Sequence, residues 1–319
     1  MPKAIEQISD LTVGHVRLGY RGGVSGSVRH QAHDGDTIMV RAIGDFGVRF
    51  LGVDAAEMSY PIPGAKKYVQ LSDSRWEAFL SNPFDDKLPA FDPPLSPGLR
   101  KYLRARVGPG TAANHFRHAV AAEEALEREV ARDLKVLGQP EEQFQFFLVF
   151  SYEVMDRYGR FLCFVNRNQF HPTVPEPRPA SYNERLLQEA KVSPFFLWPN
   201  INPFRKIGSL VKAVIPPGKA NDIAEGDETL SAIRQSLRNA REKKIGIFDG
   251  TDPLRLLPFE LRYLARRYPP DRWVIDLGKN NNVLIAPQKY YTVPNMEDRL
   301  YLPEEFVPLF MKAGWKRQD

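Results

Sequence analysis

A chain of 319 residues, 43% hydrophobic and 11% aromatic, has enough apolar side chain for a large core in one domain or a domain with an appended subdomain. No run approaches the ~18 apolar residues of a membrane helix, and a single cysteine, Cys163, excludes an intrachain disulfide framework and any cysteine-based zinc site. The net charge of +5 suits a polyanionic partner without identifying one, and the absence of an apolar leader in residues 1–30 predicts a cytoplasmic protein, or a secreted one whose signal has been removed.

Residues 12–18 and 24–30 alternate as two strands broken by Gly22-Gly23. The stretch His33 to Glu57 follows. Asp34-Gly35-Asp36 is a turn, Thr37 to Arg41 has strand composition, Gly44-Asp45 turns the chain back, and Phe46 to Val53 is a second strand. Paired as a hairpin, the two strands would bring Asp36 close to Asp54, with Glu57 just beyond and Arg49 alongside. Residues 58–107 are rich in proline and glycine and hold two short amphipathic pieces, Ser74 to Leu80 and Leu99 to Arg106.

Thr111 to Leu137 keeps helical spacing through Phe116, Val120, Leu126, Val130 and Leu134, and Gly138 with Pro140 ends it. His115 and His118 on this helix read as a packing or solvated pair rather than a metal site. Phe144 to Tyr152 and Arg160 to Val165 flank the turn Asp156-Arg157-Tyr158-Gly159 as a second hairpin, with Cys163 as a small buried hydrophobe. A short helix is expected over Tyr182 to Lys191 and a loop region over Ser193 to Gly226. Asp227 then opens a helix with the apolar stripe Leu230, Ile233, Leu237 and Ala240 and a basic C-terminal half. The final part, 249–319, reads as an appended subdomain: helix (Pro258 to Arg267), two strands (Trp273 to Leu277, Val283 to Ala286) and helix (Glu304 to Ala313).

Carboxylates as dense as Asp34, Asp36, Asp54 and Glu57 on a β scaffold suggest a hard cation held by oxygen ligands. Arginines nearby suggest phosphate, because a phosphodiester resists an anionic nucleophile until its own charge is neutralised. No nucleophile-elbow pattern and no phosphate-binding glycine loop competes with this reading.

The order Asp34-Gly35-Asp36-Thr37, then Arg49-x-x-x-Val53-Asp54-x-x-Glu57, then Asp156-x-Tyr158-Gly159-Arg160 resembles the staphylococcal nuclease (thermonuclease) family. Ile233 to Phe248 is similar to that family's basic final helix, and Asn183-Glu184-x-Leu186 to the start of its middle helix. The likeness covers roughly 24–57 and 108–248, with 58–107 as an insertion and 249–319 as an extension beyond a nuclease domain of 1–248. It implies an α+β fold with a mainly β core: a five-stranded Greek-key barrel of the OB type with packed helices, plus the small appended α/β subdomain.

The resemblance also implies a Ca²⁺-dependent nuclease that hydrolyses DNA, RNA or both with little sequence preference, prefers single strands and leaves 3′-phosphate ends. Asp36, Asp54 and the main-chain carbonyl of Ala55 would hold one Ca²⁺, with Asp34 behind them. Glu57 would orient or deprotonate the attacking water. Arg49 and Arg160 would clamp the scissile phosphate, and Arg157 and Tyr158 would touch a terminal phosphate. Ala55 and Ala56 stand where the family has Thr and Pro. No residue matches its base-stacking tyrosine, although Phe195, Phe196 or Trp198 could offer a face. The alternative is an inactive nuclease-fold module that binds nucleic acid or protein, as in Tudor-linked relatives; retention of the carboxylates and arginines argues against it. The sequence points to no protein partner and to no membrane.

Overall fold

The computed structural model of the chain describes residues 3–8, 11–21, 24–25, 37–65, 67–200 and 209–318. Two compact units emerge, one of residues 1–50 with 150–163 and one of residues 51–149 with 164–319. The class is α+β. Among the described residues the strands form several small sheets and one of six strands, and no barrel closes.

In the first unit, Val40–Ala42 pairs antiparallel with Val16–Leu18, with Arg41 level with Arg17. The hairpin expected between Thr37 to Arg41 and Phe46 to Val53 is therefore corrected. An N-terminal strand takes the hydrogen-bonding edge instead, continued by the Ile43 N–H donating to the His15 carbonyl at 2.9 Å. The Asp34-Gly35-Asp36 turn lies outside the described residues. Val48–Phe50 runs parallel to Phe161–Cys163, with Arg49 opposite Leu162. The second hairpin is present: Phe146–Met155 lies beside Phe161–Arg167 in the sheet, and its turn is closed by the Asp156 N–H donating to the Arg160 carbonyl at 2.9 Å.

The strand expected from Phe46 to Val53 breaks at Leu51-Gly52. Gly52 adopts φ +75°, a conformation that interrupts the pleat and is strained for residues with a Cβ. Gly52–Asp54 resumes as the edge of the six-stranded sheet, whose order is Lys316–Gln318, Val283–Ile285, Trp273–Asp276, Arg299–Leu302, Ser193–Leu197, Gly52–Asp54. Ser193–Leu197 is thus a strand where a loop was expected. It runs parallel to Arg299–Leu302 and antiparallel to Gly52–Asp54, and this pairing with distant segments makes it a strand. Phe196 and Trp198 are buried, and Phe195 stacks on Tyr301 at 4.5 Å, so all three serve packing rather than a base-stacking face.

The helix Thr111–Leu137 forms as expected, but its most buried face differs from the expected stripe. Ala112, His115, Ala119, Ala122, Ala125, Glu129 and Asp133 point inward, while Phe116, Val120, Leu126, Val130 and Leu134 are half-buried. Small alanines allow close approach, and the two acids meet buried cations. Asp133 accepts from Arg167 Nη1 at 3.1 Å, Arg185 Nη2 at 2.7 Å and the Tyr182 hydroxyl at 2.7 Å, and Glu129 accepts from Arg185 Nη1 at 2.5 Å. Arg167 comes from the second strand of the second hairpin and Arg185 from the Tyr182–Gln188 helix that follows it.

The 58–107 stretch contributes the helices Ser74–Ser81 and Pro97–Arg104, close to the expected positions. Their buried Trp76, Phe79, Leu80, Leu99 and Leu103 share one hydrophobic core with Leu257, Phe259, Leu261 and Leu264 of the C-terminal segment. Polar contacts run along the same seam: Arg267 donates to the carbonyls of Pro83 (2.6 Å) and Pro89 (2.7 Å), and Gln288 donates to that of Pro94 (3.0 Å). A Cβ at Gly98 would collide with the Tyr291 hydroxyl, which accounts for the glycine there. Residues 249–319 thus belong to the second unit together with 51–149 and 164–248, and supply four of the six strands in its large sheet. No helix among the described residues is long and apolar enough to cross a membrane.

A chain ended after Phe248 is expected to lose its cooperative thermal transition, because Trp76, Leu80 and Leu99 would lose the partners that cover them. Circular dichroism melting of the full and shortened chains checks this; an unchanged melt in the shortened chain would show that 249–319 is dispensable.

Candidate functional site

The second unit gathers Asp54, Ala55 and Glu57 at the end of the Gly52–Asp54 strand. Neighbours hold that strand end in place: the Ser193 hydroxyl donates to the Asp54 carbonyl at 2.8 Å, and Asn183 Nδ2 donates to the Leu51 carbonyl at 2.8 Å while its Oδ1 accepts from the Val165 N–H at 3.0 Å. Asn183 opens a helix whose start is fixed by a Ser181–Glu184 capping box, so a local signal positions a distant strand. Ala55 is half-buried just past the end of the strand. The Glu57 N–H donates to His115 Nε2 at 2.9 Å.

The two acidic side chains converge on one cation, Arg262. Its Nη2 donates to Asp54 Oδ2 at 2.8 Å and its Nη1 to Glu57 Oε1 at 2.6 Å. The Asp54 side chain is fully buried, that of Glu57 is 23% exposed and that of Arg262 is 17% exposed. Burial alone depresses the pKa of the guanidinium, but the charges of Asp54 and Glu57 outweigh it and raise it above its ordinary value. His115, completely buried, is pushed down to about 3 from 6.5, first by burial and then by the Arg262 charge, with Asp54 pulling the other way. It is therefore neutral at ordinary pH and accepts a hydrogen bond rather than carrying charge.

Asp54 and Glu57 lie together on Arg262, and the expected convergence of Asp36 with Asp54 falls outside the described residues. Asp34 and Asp36 lie outside the described residues. Among the described residues, no group of three or more His, Cys, Asp and Glu side chains could hold a metal ion. The carboxylates that are described do not, as they stand, fit the calcium site that the sequence resemblance implies. Each gives an oxygen to a permanently charged guanidinium, and a divalent cation at the same oxygens would stand against that charge.

The first unit carries the other group. Asp156 Oδ1 accepts from the N–H groups of Tyr158 (2.9 Å) and Arg160 (3.0 Å), and Gly159 adopts φ +77°. The Asp-x-Tyr-Gly-Arg pattern is thus a turn in which each fixed residue has a backbone task. Asp156 Oδ2 also accepts from Arg160 Nε at 2.8 Å and pairs with its Nη2 at 2.7 Å, aiming the guanidinium. Arg157 and Arg160 lie over the Tyr158 ring at 4.8 and 5.4 Å, and Arg157 Nη2 donates to the Tyr158 hydroxyl at 2.7 Å. The Arg160 stem packs on Gly47, where a Cβ would meet its Cγ at 3.1 Å. Strand register sets Arg49 beside Leu162, so by alternation Arg49 leaves the same sheet face as Arg160.

Two residues of this cluster, Arg262 and His115, lie outside the sequence pattern. Arg262 sits on a helix read as part of an appendage, and its partners lie more than two hundred positions earlier. The only local sign is a charged residue between the apolar Leu261 and Tyr263. His115 reads as a packing residue, and it does pack, though it also fixes the backbone of Glu57. The basic residues of the Glu228–Lys243 helix are largely committed elsewhere. Arg234 pairs with Glu225 and Asp298, and Arg241 with Glu297. Comparison with family models, with curated proteins and with solved structures returns no match for this chain.

A neutral buried His115 makes stability fall with acid. Between about pH 6.5 and 3 the unfolded chain binds the proton that the fold refuses, so this group removes up to about 1.4 kcal/mol of stability per pH unit as the pH drops. His115→Gln retains an acceptor for the Glu57 N–H and cannot charge. Urea denaturation near pH 7 and near pH 4.5 is expected to show a shallower acid loss in the variant than in the parent; equal losses would remove His115 from the account.

Proposed function

We propose that the chain is a phosphodiesterase acting on nucleic acid, hydrolysing DNA, RNA or both with little sequence preference and leaving 3′-phosphate ends. The observation that carries this reading is the arginine group of the first unit. Arg49 and Arg160 share a sheet face, and Arg157 joins Arg160 over the Tyr158 ring. Guanidinium forks match phosphate oxygens two at a time, and several on one surface can neutralise the charge that builds up in a pentacoordinate phosphorus.

In this reading Arg49 and Arg160 clamp the scissile phosphate. Arg157 and Tyr158 contact a neighbouring phosphate, and Asp156 positions Arg160 without touching substrate. A water attacks phosphorus, the 5′ P–O bond breaks and the phosphate stays on the 3′ side. Glu57 is assigned to orient or deprotonate that water. The reading carries with it the OB-type barrel of the sequence resemblance.

One observation favours a second reading, a module that binds nucleic acid without cutting it: Asp54 and Glu57 are both engaged by Arg262. Labelled single-stranded DNA incubated with the protein, in calcium and in chelator, separates the two. Cleavage in either buffer, lowered by orders of magnitude in Arg160→Ala and in Glu57→Gln with the fold intact by circular dichroism, is the expected result. Binding with no cleavage in any divalent metal or in chelator would establish the second reading instead.

A further inference from the structure

Arg262 is built into the fold rather than hung on its surface. It lies on the Pro258–Arg266 helix, whose Phe259, Leu261 and Leu264 are buried in the core shared with residues 58–107. The helix start is fixed by Glu260, which accepts from the Leu257 N–H at 2.8 Å and from the buried Tyr290 hydroxyl at 2.6 Å. With that backbone held and 17% of its side chain exposed, Arg262 has little room to leave the two carboxylates. Two carboxylates and one guanidinium leave a single net negative charge. A divalent ion is held by several oxygen ligands, and here one guanidinium already takes an oxygen from each of the two acids.

We propose that Arg262 is the resident cation of the Asp54–Glu57 pair. It holds an oxygen of Asp54, which the sequence resemblance assigns to calcium, and an oxygen of Glu57, which it assigns to the attacking water, and it makes the pair a poor calcium ligand. The proposal rests on reading Asp54 and Glu57 as part of a phosphodiester site. It gives the 249–319 segment a role there: this segment supplies the charge that a metal would otherwise bring.

Calorimetric titration of the full chain with calcium chloride tests it, comparing the parent with Arg262→Gln and Arg262→Lys. The parent and Arg262→Lys are expected to bind calcium weakly and alike, and Arg262→Gln at least tenfold more tightly, with the gain lost in Arg262→Gln combined with Asp54→Asn. Equal affinity in the parent and a folded Arg262→Gln overturns the proposal. So does micromolar binding by the parent that Asp54→Asn abolishes, a result that stands even if the Arg262 variants fail to fold. DNA cleavage is read on the same samples. Tighter calcium binding without cleavage by any of the proteins supports the resident cation and removes the phosphodiesterase reading, whereas cleavage with unchanged calcium affinity does the reverse.

Discussion

The contact between Arg262 and the carboxylates of Asp54 and Glu57 is the constraint on which the second unit turns. Asp54 is a fully buried ion at the edge of a sheet, a position that a charge occupies only when paired. Removing one partner of a buried pair costs about 3–5 kcal/mol, because it leaves the other charge desolvated and alone. Arg262 is thus needed for the strand end to exist in its present form, whatever chemistry happens there. The His115 contact with the Glu57 N–H adds a second hold, one that works only while His115 is neutral, as burial and the Arg262 charge keep it.

That contact explains why the two stretches outside the nuclease-like pattern belong together. Residues 58–107 leave the site immediately after Glu57, and residues 249–319 return to it through Arg262. Between them they build one hydrophobic core, with Trp76, Leu80 and Leu99 on one side and Leu257, Leu261 and Leu264 on the other. The core fixes the helix, the helix fixes the guanidinium, and the guanidinium neutralises the acids. An arginine delivered this way is a permanent charge, unlike a metal that exchanges with solution.

Much of this was legible where the signal is local. The short helix expected over Tyr182 to Lys191 forms over Tyr182–Gln188, and the Glu228–Lys243 helix follows from Asp227 and the Leu230, Ile233, Leu237, Ala240 stripe. The Asp156 to Arg160 turn is written in its own five residues. Pairing between distant segments was not legible. Ser193–Leu197 becomes a strand because two others flank it, and Val40–Ala42 pairs with Val16–Leu18 instead of its neighbour in sequence. The long helix buries Glu129 and Asp133 in place of its apolar stripe, because Arg167 and Arg185 arrive from other elements to neutralise them. Arg262 is the extreme case: an acid pair is readable as a demand for positive charge, but not which residue answers it.

The central claim is that a guanidinium, not a metal ion, sits between Asp54 and Glu57. A crystal structure of the full chain grown in millimolar calcium with a nucleoside bisphosphate tests it directly. The account predicts Arg262 within hydrogen-bond distance of both carboxylates and no calcium on either of them. Calcium bound by Asp54, with Arg262 displaced from it, would contradict the account.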